Sequence, residues 1–494
     1  MACNGVGPVP LIIHVKGPDS LGETQRREKA ACTEAISGVR IRSALRRERA
    51  QEIHRGGPLQ AFLGLKFGRW RGALFALPLL FGAGPVQAQS LHDALVDLLQ
   101  TSKKVRAAEA DMKSALEKSK EALGGWFPTF DVTGNYGYER QLKGNNTADT
   151  SMPPREVDLK LTQLLWDFGT TNKNIENARI TYEQARTALI AARQAVLLEG
   201  VTAYMDLIRR RRLLEFSKGS EDNIKRQTEL EDARVQRGSG FSTDVLQSKA
   251  ELAGAQAVRV RAEGALEAAM NRYVAVFGKP PEKPDAMTQP RIPVDMLPTD
   301  VEGVVKLATQ DNPNLIAARM NADIARNNVA KAKSEKFAPT LNLVGENKYK
   351  DDVEGTIGQR HEQLVKVEMK YSFNLGFTAI NTLKASEHTL TATENRFGDT
   401  MDTTIEQAKN AWNELNTARR NAEHLRNQAN IAAEFLELAR KERALGRRSL
   451  IDVLSGETRL INASSDAASA ETDVAISVFK LLAVMGKLDE TVVK

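Results

Sequence analysis

"GSGFSTDVL", residues 238–246, and "GRRSLIDVL", residues 446–454, each place a glycine six residues before Asp-Val-Leu. A motif written twice, 208 residues apart, points to an internal duplication. Working outward, "LHDALVDLLQTSKKVRAAEA" from Leu91 lies 210 residues before "VEGVVKLATQDNPNLIAARM" from Val301, with Ala107-Ala108 and Ala317-Ala318 at matching places. "WFPTFDV" from Trp126 matches "FAPTLNL" from Phe337 at an offset of 211. The chain therefore reads as two repeats, 89–290 and 291–494, joined through the proline-rich stretch Pro280 to Pro313.

Each repeat runs through the same succession of periods. A helical stretch of about 35 residues ends at Pro128 or Pro339. Strict alternation follows. Phe130, Val132, Tyr136 and Tyr138 share one face, opposite Asp131, Thr133 and Asn135, and "VDLKLTQLL" from Val157 repeats the pattern after a polar loop. In the second repeat Leu341, Leu343 and Tyr349 lie on one face, and Val365, Val367 and Met369 stand opposite Lys366, Glu368 and Lys370. Period two over such lengths predicts four strands per chain.

After each hairpin the period becomes helical. No proline interrupts Thr170 to Gln236 or Thr378 to Leu445, and each stretch makes a helix about 100 Å long. Apolar and small residues recur at alternating steps of three and four: Ile175, Ala178, Tyr182, Ala185, Leu189, and later Leu425, Ala429, Ala432, Leu436, Ala439. The returning segments do the same, with Leu246, Ala250, Ala253, Ala257 and Val260, and with Ile461, Ser465, Ala468 and Thr472. Such seams predict coiled-coil hairpins. Gly238 and Gly446 end the outgoing helices, so both motifs are helix-to-helix turns at the far tips, and Ser449-x-x-Asp452 has the form of a capping box.

The N-terminal part differs from all this. Residues 68–88 combine Arg69 and Arg71, a short apolar run and a small-residue end at Ala88, the pattern of a secretory signal peptide. The run is too short to span a membrane, which takes about 20 apolar residues. Residues 1–67 show no periodicity, and we expect a non-structural extension with the true start downstream, near Leu65. Removing residues 1–88 leaves 56 basic and 57 acidic residues. The mature chain is thus nearly neutral, with no electrostatic footprint for nucleic acid. Cys3 and Cys32 also fall in the removed part, leaving no disulfide, thiol nucleophile or lipidation cysteine.

Strands of about 11 residues with one apolar and one charged face have the length of tilted membrane strands. Trp126, Phe127, Trp166, Phe168, Phe337, Phe373 and Phe377 cluster where strands meet helices, as an interfacial girdle does. Lipid tolerates no open sheet edge, and four strands close no barrel, whereas three chains supply twelve.

In this order of elements the chain resembles the bacterial outer-membrane efflux and export channels of the TolC type, over nearly all of the mature sequence. The resemblance implies a mainly α fold with a transmembrane β part: duplicated helical hairpins and four strands per chain, trimerising into a 12-stranded barrel and a 12-helix periplasmic tunnel. It implies an outer-membrane location in a Gram-negative bacterium and three partners beyond a second and third copy: lipid, a periplasmic adaptor and an inner-membrane ABC or RND transporter. It also implies a periplasmic entrance at the second tip, where Arg448 and Asp452 occupy the matching positions, Asp244 is the first-repeat partner of Arg448, and Gly238 and Gly446 make the turns. Ser455 stands where the best-known member has a second acidic ring, and Arg443 where it has a tyrosine.

An enzyme reading finds no support. The histidines are scattered, "HEQL" at His361 lacks the second zinc-binding histidine, and no glycine-rich phosphate loop follows a strand. We expect no cofactor and no metal. The competing expectation is an exported periplasmic coiled-coil scaffold whose hairpins form small soluble sheets.

Overall fold

A computed structural model gives the fold, and the structure describes residues 91–144, 148–372 and 374–492. The extension at 1–67, the signal peptide at 68–88 and Phe373 lie outside the described residues. The first repeat contains α1 (Leu91–Thr101), α2 (Lys103–Leu123), β1 (Thr129–Tyr136), β2 (Glu139–Gln141), β3 (Thr150–Met152), β4 (Arg155–Trp166), α3 (Thr170–Gln236) and α4 (Ser242–Phe277). The second contains α5 (Val301–Asp311), α6 (Pro313–Phe337), β5 (Thr340–Asp351), β6 (Gln359–Lys370), α7 (Thr378–Ala444) and α8 (Leu450–Val484).

The long helices α3 and α7 each run 67 residues, the lengths that the absence of proline predicts to within one residue. Both start from a left-handed turn. Phe168 and Phe377 have φ of 55°, unusual for a bulky residue, Phe168 two residues before α3 and Phe377 immediately before α7. Buried Asp167 holds the first turn by accepting from the amides of Gly169 (3.0 Å) and Thr171 (2.6 Å), and Asn374 accepts from the amide of Gly376 (2.7 Å) at the second.

α3 and α7 pass through two layers of helices. Nearer the sheet the packing order is α2-α3-α6-α7, and nearer the tips it is α4-α3-α8-α7. Between the layers, helix ends meet in the main hydrophobic core, formed by α1, the middle of α3, the end of α4, α5, α7 and the end of α8. Phe479, Leu481 and Leu482 are fully buried there. Gly200 lets α1 cross α3, since a Cβ at that position would lie 2.6 Å from Leu95 Cδ2 and 2.7 Å from Leu98 Cδ2. The inter-repeat stretch is strapped to this core: the Tyr204 hydroxyl donates to the carbonyl of Thr288 (3.1 Å), and Arg211 donates to the carbonyls of Pro284 and Met287.

Three expectations need correction. The single helix of about 35 residues in each repeat is two helices, broken at Ser102 and Asn312. Asn312 precedes a proline, which excludes the helical conformation (ψ 120°), and its side chain caps α6 by accepting from the amides of Asn314 and Leu315. Ser102 adopts a similar ψ of 123° without a proline, and the bend lets α1 bury Leu91, Ala94, Leu95 and Leu98 in the core. The alternation predicts two strands per long hairpin, but the first hairpin also carries the short pair β2-β3 in its loop. Finally, the seam from Leu246 through Ala250, Ala253 and Ala257 to Val260 faces outward. α4 packs on its own chain through Val245, Ser248, Leu252 and Ala255 instead.

Candidate functional site

β1, β4, β5 and β6 form one antiparallel sheet in the order β1-β4-β5-β6, leaving β1 and β6 as open edges. The register places Val157, Leu159 and Leu161 of β4 on the same face as Leu343 of β5 and Val365, Val367 and Met369 of β6. That face is uncovered: Val365 is 78 % exposed and Met369 67 %. The charged face is the sheltered one. There Glu346 lies 3.4 Å from Lys348, 3.6 Å from Lys366 and 4.0 Å from Lys160, and Lys350 lies 3.6 Å from Glu156 and 3.7 Å from Glu362. A soluble half-buried sheet is built the other way round, with its apolar side covered. Apolar-out and charged-in is the pattern of a barrel in lipid.

The aromatic residues gather at the helix end of the sheet. Phe127, Trp166, Phe168, Phe337 and Phe377 are exposed, Trp166 meets Phe168 edge to face at 6.1 Å, and Trp126 donates its indole N–H to Asn172 (3.1 Å). The two tryptophans, with an apolar ring and a polar N–H, suit a membrane–water boundary, and the phenylalanines add apolar area beside them. Among the described residues no helix is long and apolar enough to cross a membrane.

At the opposite end both tips turn through a left-handed glycine, Gly238 (φ 76°) and Gly446 (φ 73°). In each, the next amide reaches back to the helix: Ser239 donates to the carbonyl of Arg234 (3.0 Å) and Arg447 to that of Glu442 (2.9 Å). The entries into the returning helices differ. Ser449 caps α8, accepting from the amide of Asp452 (3.3 Å) and donating to its carboxylate (2.8 Å), whereas Phe241 leads into α4 with no side-chain cap.

The expected Arg448–Asp244 pair is not formed within the chain. Arg448 is satisfied inside its own hairpin, 3.3 Å from Glu442, 3.7 Å from Asp452 and 5.1 Å above the Phe435 ring. Asp244 is instead engaged by Arg443 at 3.4 Å, and the same Arg443 nitrogen lies 3.1 Å from Glu231. Arg443 sits one helical turn before the second tip and so faces the first hairpin. Glu231 is only 1 % exposed and also accepts from Arg234 (2.8 Å) and Gln227 (3.0 Å). A second buried carboxylate, Glu457, pairs with Arg440 and accepts from Asn223 (3.5 Å). Sequence reasoning missed Glu231, Arg440 and Glu457. The available signal was a carboxylate or guanidinium at a seam position, where coiled coils normally place apolar side chains. On the α7 surface Lys441 hydrogen-bonds Glu437 and holds its carboxyl below the ordinary range.

The sequence profile of the outer membrane efflux proteins matches this chain twice, over residues 94–279 and 304–487. The outer membrane protein TolC of Vibrio cholerae is 24 % identical over 416 residues, covering 82 % of this chain and 92 % of that protein. The alkaline protease secretion protein AprF of Pseudomonas aeruginosa is 25 % identical over 372 residues, covering 72 % of this chain and 76 % of that protein. The crystal structure of the CmeC outer membrane channel of Campylobacter jejuni superposes with a TM-score of 0.71 at 14 % identity, over 82 % of this chain and 87 % of that one. The inverted sheet, the helical hairpins turning at twin glycines and the doubled profile match converge: the chain belongs to the outer membrane efflux protein family.

Proposed function

We propose that three copies of this chain form the passive exit duct of a tripartite export system. A twelve-stranded barrel lies in the outer membrane of a Gram-negative bacterium, and a twelve-helix tunnel crosses the periplasm. A periplasmic adaptor docks at the helical tips, and an inner-membrane ABC or RND transporter supplies the energy, since the sequence has no glycine-rich phosphate loop following a strand. The cargo is a secreted protein or a small toxic molecule.

The observation that carries this reading is the inverted sheet with two open edges. Its apolar face needs lipid, and β1 and β6 need strands from another chain. The outward seam on α4, and the exposed Ile431 and Leu438 on α7 with Leu445 just past its end, seven residues apart, lie along the two edge helices of the tip layer, where neighbouring copies meet. At the tips, three copies of Asp452 around the axis concentrate negative charge in the aperture, while Arg443, through Asp244 and Glu231, ties the two hairpins of each copy together.

The test is the molar mass of the protein extracted in mild detergent from the outer-membrane fraction, by light scattering with the detergent subtracted. A trimer supports the duct. A monomer released without detergent overturns it.

A further inference from the structure

β5 sits between β4 and β6, and its sheltered face carries Asn342, Val344, Glu346, Lys348 and Lys350. Glu346 is the only carboxylate on that face of the strand, and its side chain is 11 % exposed. It is shared by three ammonium groups from three strands: Lys160 of β4 at 4.0 Å, Lys348 of its own strand at 3.4 Å and Lys366 of β6 at 3.6 Å. The two rows between Glu346 and the Asp351 end of the strand are also mixed in sign. Glu156, Lys350 and Arg360 lie opposite one another in one row, and Asp158, Lys348 and Glu362 in the next. Row by row, the surplus alternates and nearly cancels along the strand axis.

We propose that Glu346 is the residue that holds the membrane-spanning exit near electrical neutrality, so that it passes solutes of either sign. The inference rests on the closed-barrel reading, in which the charged face lines the lumen. With Glu346, the middle of the barrel is a locally compensated lattice, and a passing ion meets little net potential. Without it, the lumen face of β5 keeps only Lys348 and Lys350, and Lys160, Lys348 and Lys366 lose the carboxylate they share, which leaves one surplus positive charge in every copy. Rings of uncompensated charge are what give pores an ionic preference.

The experiment is the reversal potential of the purified full-length protein in a planar bilayer under a KCl gradient. Salt near 0.01 M is needed, where charge acts over about 30 Å. Glu346→Gln, which keeps the side-chain shape, is expected to raise the chloride-to-potassium permeability ratio about twofold or more. Lys366→Gln is expected to lower it, and the double variant to return it toward the wild-type value. A structural role alone gives neither the opposite signs nor the return. Reversal potentials of all three variants equal to wild type overturn the proposal. Should Glu346→Gln fail to assemble, Lys366→Gln carries the test: a shift toward potassium supports the proposal, and no shift overturns it. A wild-type protein with no conductance at all counts against the duct, not against the role of Glu346.

Discussion

The sheet and the helical body of this protein are opposites in what they hide. In the helical body Phe479 is fully buried and most charges lie outside, the paired Glu231 and Glu457 excepted, whereas in the sheet Val365 is 78 % exposed and Glu346 is sheltered. One chain is therefore built for two solvents. The boundary between them falls at the aromatic residues around Trp166 and Phe168, where the side-chain period changes from two to helical.

The comparison can be broken most severely in the core. Phe479→Ala is expected to cost about 3–5 kcal/mol through transfer and cavity terms, read as a lowered thermal midpoint of the helical signal with the strand signal retained. Next comes Val367→Lys on the uncovered face, expected to cost about 2–4 kcal/mol if that face meets the middle of a bilayer. The check is the urea midpoint for refolding into lipid vesicles, and a midpoint unchanged from wild type means the face does not meet lipid.

The tips sharpen the contrast between repeats. Ser449→Ala removes the cap of α8 and is expected to cost about 1 kcal/mol in chemical denaturation, while Phe241→Ala removes no capping bond and leaves helix stability nearly unchanged.

The smallest effect is pH-dependent and lies between α3, α7 and α8. Burial pushes the Glu471 carboxyl up, but Arg426 (2.7 Å) and Arg212 (3.0 Å) overrule it and leave it below the ordinary value of 4.5. A depressed carboxyl stabilises the fold above that value, and the contribution is lost as pH falls through the folded one. Glu471→Gln is therefore expected to melt below wild type at neutral pH. The gap should narrow as pH drops under 4.5.

The lengths of α3 and α7 and the four long strands were legible because they rest on local patterns: no proline, steps of three and four, strict alternation. The bend at Ser102 was not legible. It is stabilised by Leu95 and Leu98 packing on Gly200, a contact some hundred residues away in sequence. The outward seam of α4 was visible as a stripe, but a stripe does not say which chain covers it, and Val245, Ser248, Leu252 and Ala255 form a second, equally small-sided stripe that took the intrachain role. At the tips the buried carboxylates Glu231 and Glu457 were not legible, and Arg443 rather than Arg448 reaches Asp244. That choice depends on side-chain direction around a helix end, which residue spacing alone does not fix.

The unbroken run of α3 and α7 through both layers sets a rule for how such a chain can change length. Inserting one residue rotates everything beyond it by about 100° and turns each seam away from its partner, whereas seven residues restore the phase and add about 10 Å. Ducts on this plan are expected to grow or shrink in heptads, made together in the outgoing and returning helix of each hairpin.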